Sequence, residues 1–354
     1  MLNPTFAANS EEVAFVQRLS GRDSAGERPD DIYKNANKSY LSKQSLAQRK
    51  NDPVVSIFDY QKEKLSLIDF GWAPAFSQND GRLAYAHQLK PLQEQDRLYA
   101  DAYRGNSIKV YNKSTQKTEE VARPQGLYLL DPLFIDSLTL AYKTGEKVNG
   151  PFGSAISLSQ VNLRTKKTVL MQQAAIKYRL YNLIGEIFMK GKQPAYVVYS
   201  PADTGQGMAN EYVHLLVSGS DTLQNFGIRR FTNLSYKFAI NERNEILFLD
   251  DQHYLPEDTN YLAVYAKGAL IQNQPLSFKY QTAYLSPGGK NMVYITATNE
   301  AYLVNLKNFA QTKIERPQKE VHTIAWSNDG KRLGLVQDHE KLGGTDELLL
   351  YEIR

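Results

Sequence analysis

Apolar and polar residues alternate along this chain in short runs, and the runs come in pairs separated by turn-forming residues. The clearest pair spans Thr323 to Gln337. Ile324 to Ser327 and Leu333 to Val336 are apolar or small, and Asn328-Asp-Gly-Lys331 between them tolerates the left-handed backbone of a tight hairpin turn. The pattern recurs around Gln78-Asn-Asp-Gly-Arg82 and around Ser286-Pro-Gly-Gly-Lys290, each flanked by short apolar runs. Looser copies run over 6–16, 132–142, 187–198 and 238–248, giving seven hairpins.

After a variable connection, most hairpins are followed by a second strand pair, at 56–68, 108–121, 156–170, 212–223, 261–271 and 301–314. The unit is then four antiparallel strands, A to D. The second strands start near Val13, Leu83, Leu140, Tyr196, Leu247, Val293 and Leu333, and the last three intervals are 51, 46 and 40 residues. That period is the one expected of four-stranded propeller blades. The pattern predicts an all-β chain, a seven-bladed β-propeller of four-stranded antiparallel blades, with 1–354 as a single domain. The last unit has strands A to C only, which predicts a three-stranded final blade, or a chain from which an upstream strand has been trimmed.

Trp326 to Leu335, Phe76 to Tyr85 and, more loosely, Tyr284 to Tyr294 follow the form Trp/Phe-Ser-x-Asp-Gly-Lys-x-Leu/Ile-Ala-Phe/Tyr, with an Ile-x-Val-Tyr-Asp-like strand after it. This element resembles the TolB-like (PD40, WD40-related) propeller repeat. The resemblance implies a role in the bacterial cell envelope, periplasmic or surface-attached, with the leader absent from this chain. A turn-and-packing signature speaks for architecture rather than activity.

The connections between second and third strands carry the functional interest. They are long at about 19–53, 88–106, 145–154, 201–210, 252–260 and 338–346, whereas the hairpin turns are short. Rigid scaffolds commonly carry function on such loops. The first insertion, Arg18 to Lys50, holds eight basic and four acidic residues, so its net +4 equals that of the whole chain. It contains Tyr33, Tyr40 and a short helical pattern over Lys38 to Lys50. The second contains Arg97, Tyr99, Tyr103 and Arg104. Tyr and Arg predominate at binding hot spots, although the same residues also fold loops back onto their own sheet.

A polar residue closes most second strands: Gln17, His87, Thr144, Ser200, Asp251 and Gln337, with Ala297 the exception. Strand ends are polar in general, and such a series is also what a ligand-binding rim would need. His87, His253 and His339 fall at or just after these ends, with Asp250, Asp251 and Asp338 nearby. His and Asp brought together could serve as acid and base or as metal ligands. Asp250, Asp251, Glu257 and Asp258 would suit calcium, without EF-hand spacing to support it. No nucleophile elbow, phosphate loop or dinucleotide fingerprint is present.

Composition narrows the remaining choices. A net charge of +4 over 354 residues is a small excess and does not by itself argue for a nucleic-acid partner. The absence of cysteine removes disulfides and thiolate chemistry, and no apolar run reaches the length of a membrane-spanning helix. The expectation is therefore a non-catalytic scaffold, without a cofactor, that binds a protein partner through the long-loop face. The candidate binding residues are Tyr33, Tyr40, His87, Arg97, Tyr99, Tyr103, Arg104, Asp251, His253, Gln337, Asp338 and His339. The alternative is a propeller enzyme, a hydrolase or lyase acting on a carbohydrate, with His87, His253 and nearby acids in the mouth.

Overall fold

The computed structural model describes residues 2–7, 11–18, 36, 38–49, 52–78, 80–89, 107–123, 128–148, 153–176, 187–190, 193–201, 210–217, 224–231, 238–243, 245–251, 260–267, 269–315, 319–327, 329–338 and 346–353. They fall into two compact units, Met1–Tyr181 with Asp338–Leu348, and Asn182–Gln337 with Leu349–Arg354.

In the first unit, β1 (Leu2–Phe6), β2 (Glu12–Arg18), β3 (Lys38–Ser39), helix α1 (Lys43–Gln48), β4 (Pro53–Asp59), β5 (Lys64–Phe76), β6 (Arg82–His87), β7 (Ser107–Asn112) and β8 (Lys117–Ala122) follow one another. Their strands form one eight-stranded sheet in the order β1-β2-β4-β5-β6-β7-β8, with β3 lying parallel on β5. A four-stranded sheet of β9 (Tyr128–Phe134), β10 (Thr139–Val148), β11 (Gly153–Asn162) and β12 (Thr168–Ile176) comes next.

The second unit holds three more four-stranded sheets in sequence order. They are β13 (Ile187–Lys190), β14 (Gln193–Pro201), β15 (Asn210–Val217) and β16 (Gln224–Phe231); β17 (Phe238–Ile240), β18 (Ile246–Asp251), β19 (Asn260–Ala266) and β20 (Ala269–Pro275); and β21 (Thr282–Leu285), β22 (Asn291–Ile295), β23 (Ala301–Asn305) and β24 (Gln311–Ile314). β25 (Val321–Trp326), β26 (Arg332–Asp338) and β27 (Asp346–Glu352) form a three-stranded sheet.

The expectation of seven four-stranded blades is thereby corrected: among the described residues four discrete four-stranded sheets are present, not seven. The reason lies in β5. Gly71 and Pro74, which lie between the 56–68 strand pair and the hairpin around Gln78 to Arg82, do not break the strand. Instead Ala73 and Pro74 together oppose Tyr85 in a bulge, between the pairs Trp72↔Ala86 and Ala75↔Ala84, with Ala73 at φ 48°. A bulge bends a strand without ending it and is where an in-strand proline is tolerated. β5 therefore pairs with β4 up to Phe70 and with β6 from Gly71 onward, fusing two hairpin units into one sheet.

The hairpin turns are held by a recurring buried serine. Ser327 N–H donates to Arg332 O at 2.9 Å, and Ser327 Oγ accepts from Arg332 N–H at 2.8 Å while donating to Asp329 at 2.6 Å. Gly330 takes the left-handed conformation, φ 68°, that the turn requires. Ser286 repeats the clamp on Asn291, and the Ser77 amide donates to Arg82 O. All three serines are buried, which explains why the turn motif carries a hydroxyl there.

The described part of the first insertion is folded onto the sheet. Ser42 caps α1 by accepting from Ser45 N–H at 3.0 Å. Leu46, 2% exposed, then packs with Val54, Leu67 and Phe70. Removing such a side chain costs about 2–5 kcal/mol.

Candidate functional site

Asp69 lies in the apolar run Leu65-Ser-Leu-Ile-Asp-Phe-Gly-Trp72, at the place where β5 changes partner. Side chains two residues apart on a strand share a face, and directly paired residues share it across strands. Asp69 thus faces the same way as Gly71 and its partner His87, as Tyr85 two residues before His87, and as Lys109 paired with Tyr85. The side chains meet on one oxygen. Asp69 Oδ2 accepts from Tyr85 Oη at 2.9 Å and Lys109 Nζ at 2.9 Å, and lies 3.1 Å from His87 Nδ1. Oδ1 accepts from the Phe70 amide at 2.8 Å.

Burial by itself would raise the Asp69 pKa. The hydrogen bond and charge of His87, with those of Lys109, outweigh it and hold the carboxyl at about 2. Burial, followed by the Asp69 charge, pushes the Tyr85 phenol well above its ordinary value. His87 Nδ1 is also 3.0 Å from Phe70 O. Both of its neighbours are acceptors, so Nδ1 carries the proton and Nε2 is the nitrogen left to act. An aspartate fixing an imidazole through Nδ1 is the positioning used in acid–base pairs. Here, however, the carboxylate is saturated, and His87 is 7% exposed.

Next to this cluster the roots of both long insertions are tied together. Arg49, just past α1, pairs through Nε with Asp52 at 2.5 Å. Its Nη2 donates to Gln88 O at 2.8 Å, and its guanidinium lies 4.0 Å from the Phe70 ring centre. Gln88 follows β6 directly; its amide donates to Phe70 O, and its Oε1 accepts from Trp72 Nε1 at 3.2 Å. The end of the first insertion and the start of the second are thus locked on one buried footing.

Tyr40 is held on the sheet: its amide donates to Leu67 O, and its hydroxyl meets that of Tyr111 at 2.8 Å. Gln337 is 5% exposed at the end of β26. Asp251 and Asp338 end β18 and β26, with their side chains outside the described residues. Tyr33, Arg97, Tyr99, Tyr103, Arg104, His253 and His339 also lie outside the described residues, as do Glu257 and Asp258 of the calcium reading. The structure therefore joins His87 to Asp69, Tyr85 and Lys109. None of those three partners, nor Arg49, stood out in the sequence; the one available signal was a lone carboxylate inside an apolar run. Among the described residues, no three His, Asp or Glu side chains converge as metal ligands, and no helix is long and apolar enough to cross a membrane.

No protein-family model matches the chain, and no curated protein matches it. Solved structures do. An oligogalacturonate lyase in complex with manganese is 12% identical, with a TM-score of 0.63 over 99% of this chain and 88% of that one. An oligogalacturonate lyase from Vibrio parahaemolyticus is 9% identical, with the same TM-score over 99% and 89%. The β-propeller domain of the Trilobed protease from Pyrococcus furiosus, described as having an open velcro topology, is 11% identical, with a TM-score of 0.59 over 98% and 91%. The chain has an all-β propeller fold. TolB from Acinetobacter baumannii matches at a TM-score of 0.44 over 90% of this chain and 82% of that one, at 11% identity, too distant to carry an argument.

Proposed function

We propose that this chain is a non-catalytic, protein-binding propeller scaffold, with its binding surface where the 19–53 and 89–106 insertions leave the sheet. The observation that carries this reading is the Arg49–Gln88 hydrogen bond, which roots both insertions at one place. A loop pair on a fixed footing presents its residues with less entropy to lose on binding. Placement in the bacterial cell envelope, periplasmic or surface-attached, rests on the repeat-motif resemblance alone. The test is affinity capture from an envelope extract, comparing the full chain with one in which both insertions are replaced by short Gly-Ser turns. A specific partner lost with the insertions supports the reading. A partner retained equally by both proteins overturns the choice of surface.

The Asp69–His87 contact favours a second reading, an enzyme acting on a carbohydrate as hydrolase or lyase, with His87 Nε2 moving the proton. Oligogalacturonates are a reasonable first probe, since structures of like fold bear that substrate in their names. Turnover abolished by His87→Ala, in a protein of unchanged melting temperature, would replace the scaffold reading.

A further inference from the structure

We propose that the cleft between the β17–β20 and β21–β24 sheets binds a small amphiphilic anion, a medium-chain carboxylate whose acyl body lies on the cleft floor and whose head meets Arg243 and Lys307. The site lies within the second unit and does not depend on the insertions discussed above.

The cleft encloses about 670 Å³, the scale of a small-molecule site rather than of a protein interface. It lies over a sheet face. Leu247 pairs with Val264 and Val264 with Gln272, so their side chains share one face across β18, β19 and β20, and Leu262 joins them two residues along β19. Leu247, Leu262 and Val264 are buried and form an apolar floor.

Two local irregularities add apolar side chains to this floor. In β20, Gln272 opposes Val264 and Leu270 opposes Tyr265, which leaves Ile271 as the extra residue of a bulge. Ile271 and Gln272 consequently both line the cleft, and Ile271 stays 54% exposed. Bulges re-aim side chains in this way beside functional sites. The second irregularity is Phe309. The turns β4–β5, β7–β8, β11–β12 and β19–β20 each place one polar residue in the left-handed conformation, Glu63, Gln116, Lys166 and Lys267, whereas the β23–β24 turn places Phe309 there, at φ 56°. The polar residues show that the turn itself asks for no ring, and a bulky side chain is costly in this conformation. Phe309 packs on the apolar core of this unit and lines the cleft. Strained residues of this kind gather at ligand clamps.

Charge selects the occupant. Three cations, Arg243, Lys290 and Lys307, line the cleft against two carboxylates, Glu242 and Glu245, leaving one positive charge in excess. Lys290 pairs with Glu242 at 2.7 Å, and Glu245 accepts from Asn241 Nδ2 at 2.6 Å. Among the described residues no carboxylate pairs with Arg243 or Lys307. A second copy of this chain would bring the same cations against them. An apolar floor beside an uncompensated cationic rim is complementary to a molecule with an apolar body and a singly charged anionic head.

The test is fluorescence titration of the full chain with anilinonaphthalenesulfonate, a singly charged anionic dye with an apolar body, beside its uncharged counterpart N-phenylnaphthylamine. The anionic dye should saturate a single site and bind more tightly than the uncharged one. Decanoate should displace it, while decanol and decyltrimethylammonium should not. The double variant Arg243→Glu/Lys307→Glu should weaken the anionic dye roughly tenfold or more and leave the uncharged dye unchanged. Ile271→Asp should weaken both dyes. These substitutions change exposed side chains and should leave the melting temperature where it is. Absence of saturable binding, equal affinity for the two dyes, or indifference to either variant overturns the proposal. Displacement by decyl phosphate at a lower concentration than by decanoate overturns the choice of a singly charged carboxylate head.

Discussion

Arg49 donates from Nη2 to the main-chain oxygen of Gln88 across 2.8 Å, joining residues 39 positions apart in sequence. The same side chain pairs with Asp52, which is 1% exposed. Breaking a largely buried charged contact of this kind costs several kcal/mol, because the carboxylate gives up a charged partner in a dry site.

Arg49→Ala is accordingly expected to destabilise the protein by roughly 2–4 kcal/mol. Arg49→Lys should recover only part of that, since one ammonium cannot reach the Asp52 carboxylate and the Gln88 carbonyl in the fork geometry of a guanidinium. Urea titration measures both losses. Hydrogen exchange should also quicken at the Gln88 amide. A loss below about 0.5 kcal/mol for Arg49→Ala would mean that the two insertion roots are not coupled through it.

The Asp69 cluster makes stability depend on pH. The Asp69 carboxyl sits at about 2 in the folded protein, below its ordinary 3.8. A depressed carboxyl contributes stability that is fully present above the unfolded value and lost as pH falls through the folded one. The contribution is about 2 kcal/mol at neutral pH. Asp69→Asn should be less stable than the parent by at least that amount at pH 6. The gap should narrow steadily in urea titrations from pH 5 toward pH 2. A gap independent of pH would show that the carboxylate's charge is not what the cluster uses.

Asp69 also marks the limit of what the sequence displays. The hairpins were legible because Asn-Asp-Gly turns and alternating strands are local features, and the buried Ser77, Ser286 and Ser327 stand at a fixed place in the repeat. The number of separate sheets was not. Gly71 and Pro74 look like punctuation between units, but the chain passes them in a bulge at Ala73. His87 was visible as a polar strand end. Asp69 was not, because one carboxylate on an alternating strand resembles any outward residue until β6 and β7 supply its partners. The link from Arg49 to Gln88 likewise depends on how β4 and β5 bring distant segments together.

The serine clamp can be tested in one turn at a time. Ser327→Ala removes the acceptor for Arg332 N–H and the donor to Asp329 in a buried turn. About 1–2 kcal/mol should be lost, as for other buried hydrogen-bonding hydroxyls. Ser286→Ala, where Asn291 N–H loses its Oγ acceptor at 2.9 Å, should fall in the same range. Calorimetry on both variants checks this; unchanged melting temperatures would reduce the repeated serine to a turn preference without energetic weight.

Gly71 provides the sharpest test of the site's geometry. A Cβ there would lie 2.4 Å from Ala86 O and 3.0 Å from Tyr85 Cδ2. Ala86 is fully buried main chain on β6, so no flexible side chain can move aside. Gly71→Ala must therefore separate β5 from β6, at the level where Asp69 meets Tyr85 and His87. Overpacking of this kind costs roughly 1–3 kcal/mol, and more when backbone has to shift. Gly81 is the internal comparison: it sits at φ 66° with nothing within 4 Å of where a Cβ would stand, so Gly81→Ala meets only the left-handed backbone cost of about 1 kcal/mol. Urea titration should rank Gly71→Ala well below Gly81→Ala in stability. The imidazole resonances of His87 should shift in the first variant and stay fixed in the second. The opposite ranking, or an unmoved His87 signal in Gly71→Ala, would mean that close approach of β5 to β6 is not what holds the Asp69 cluster together.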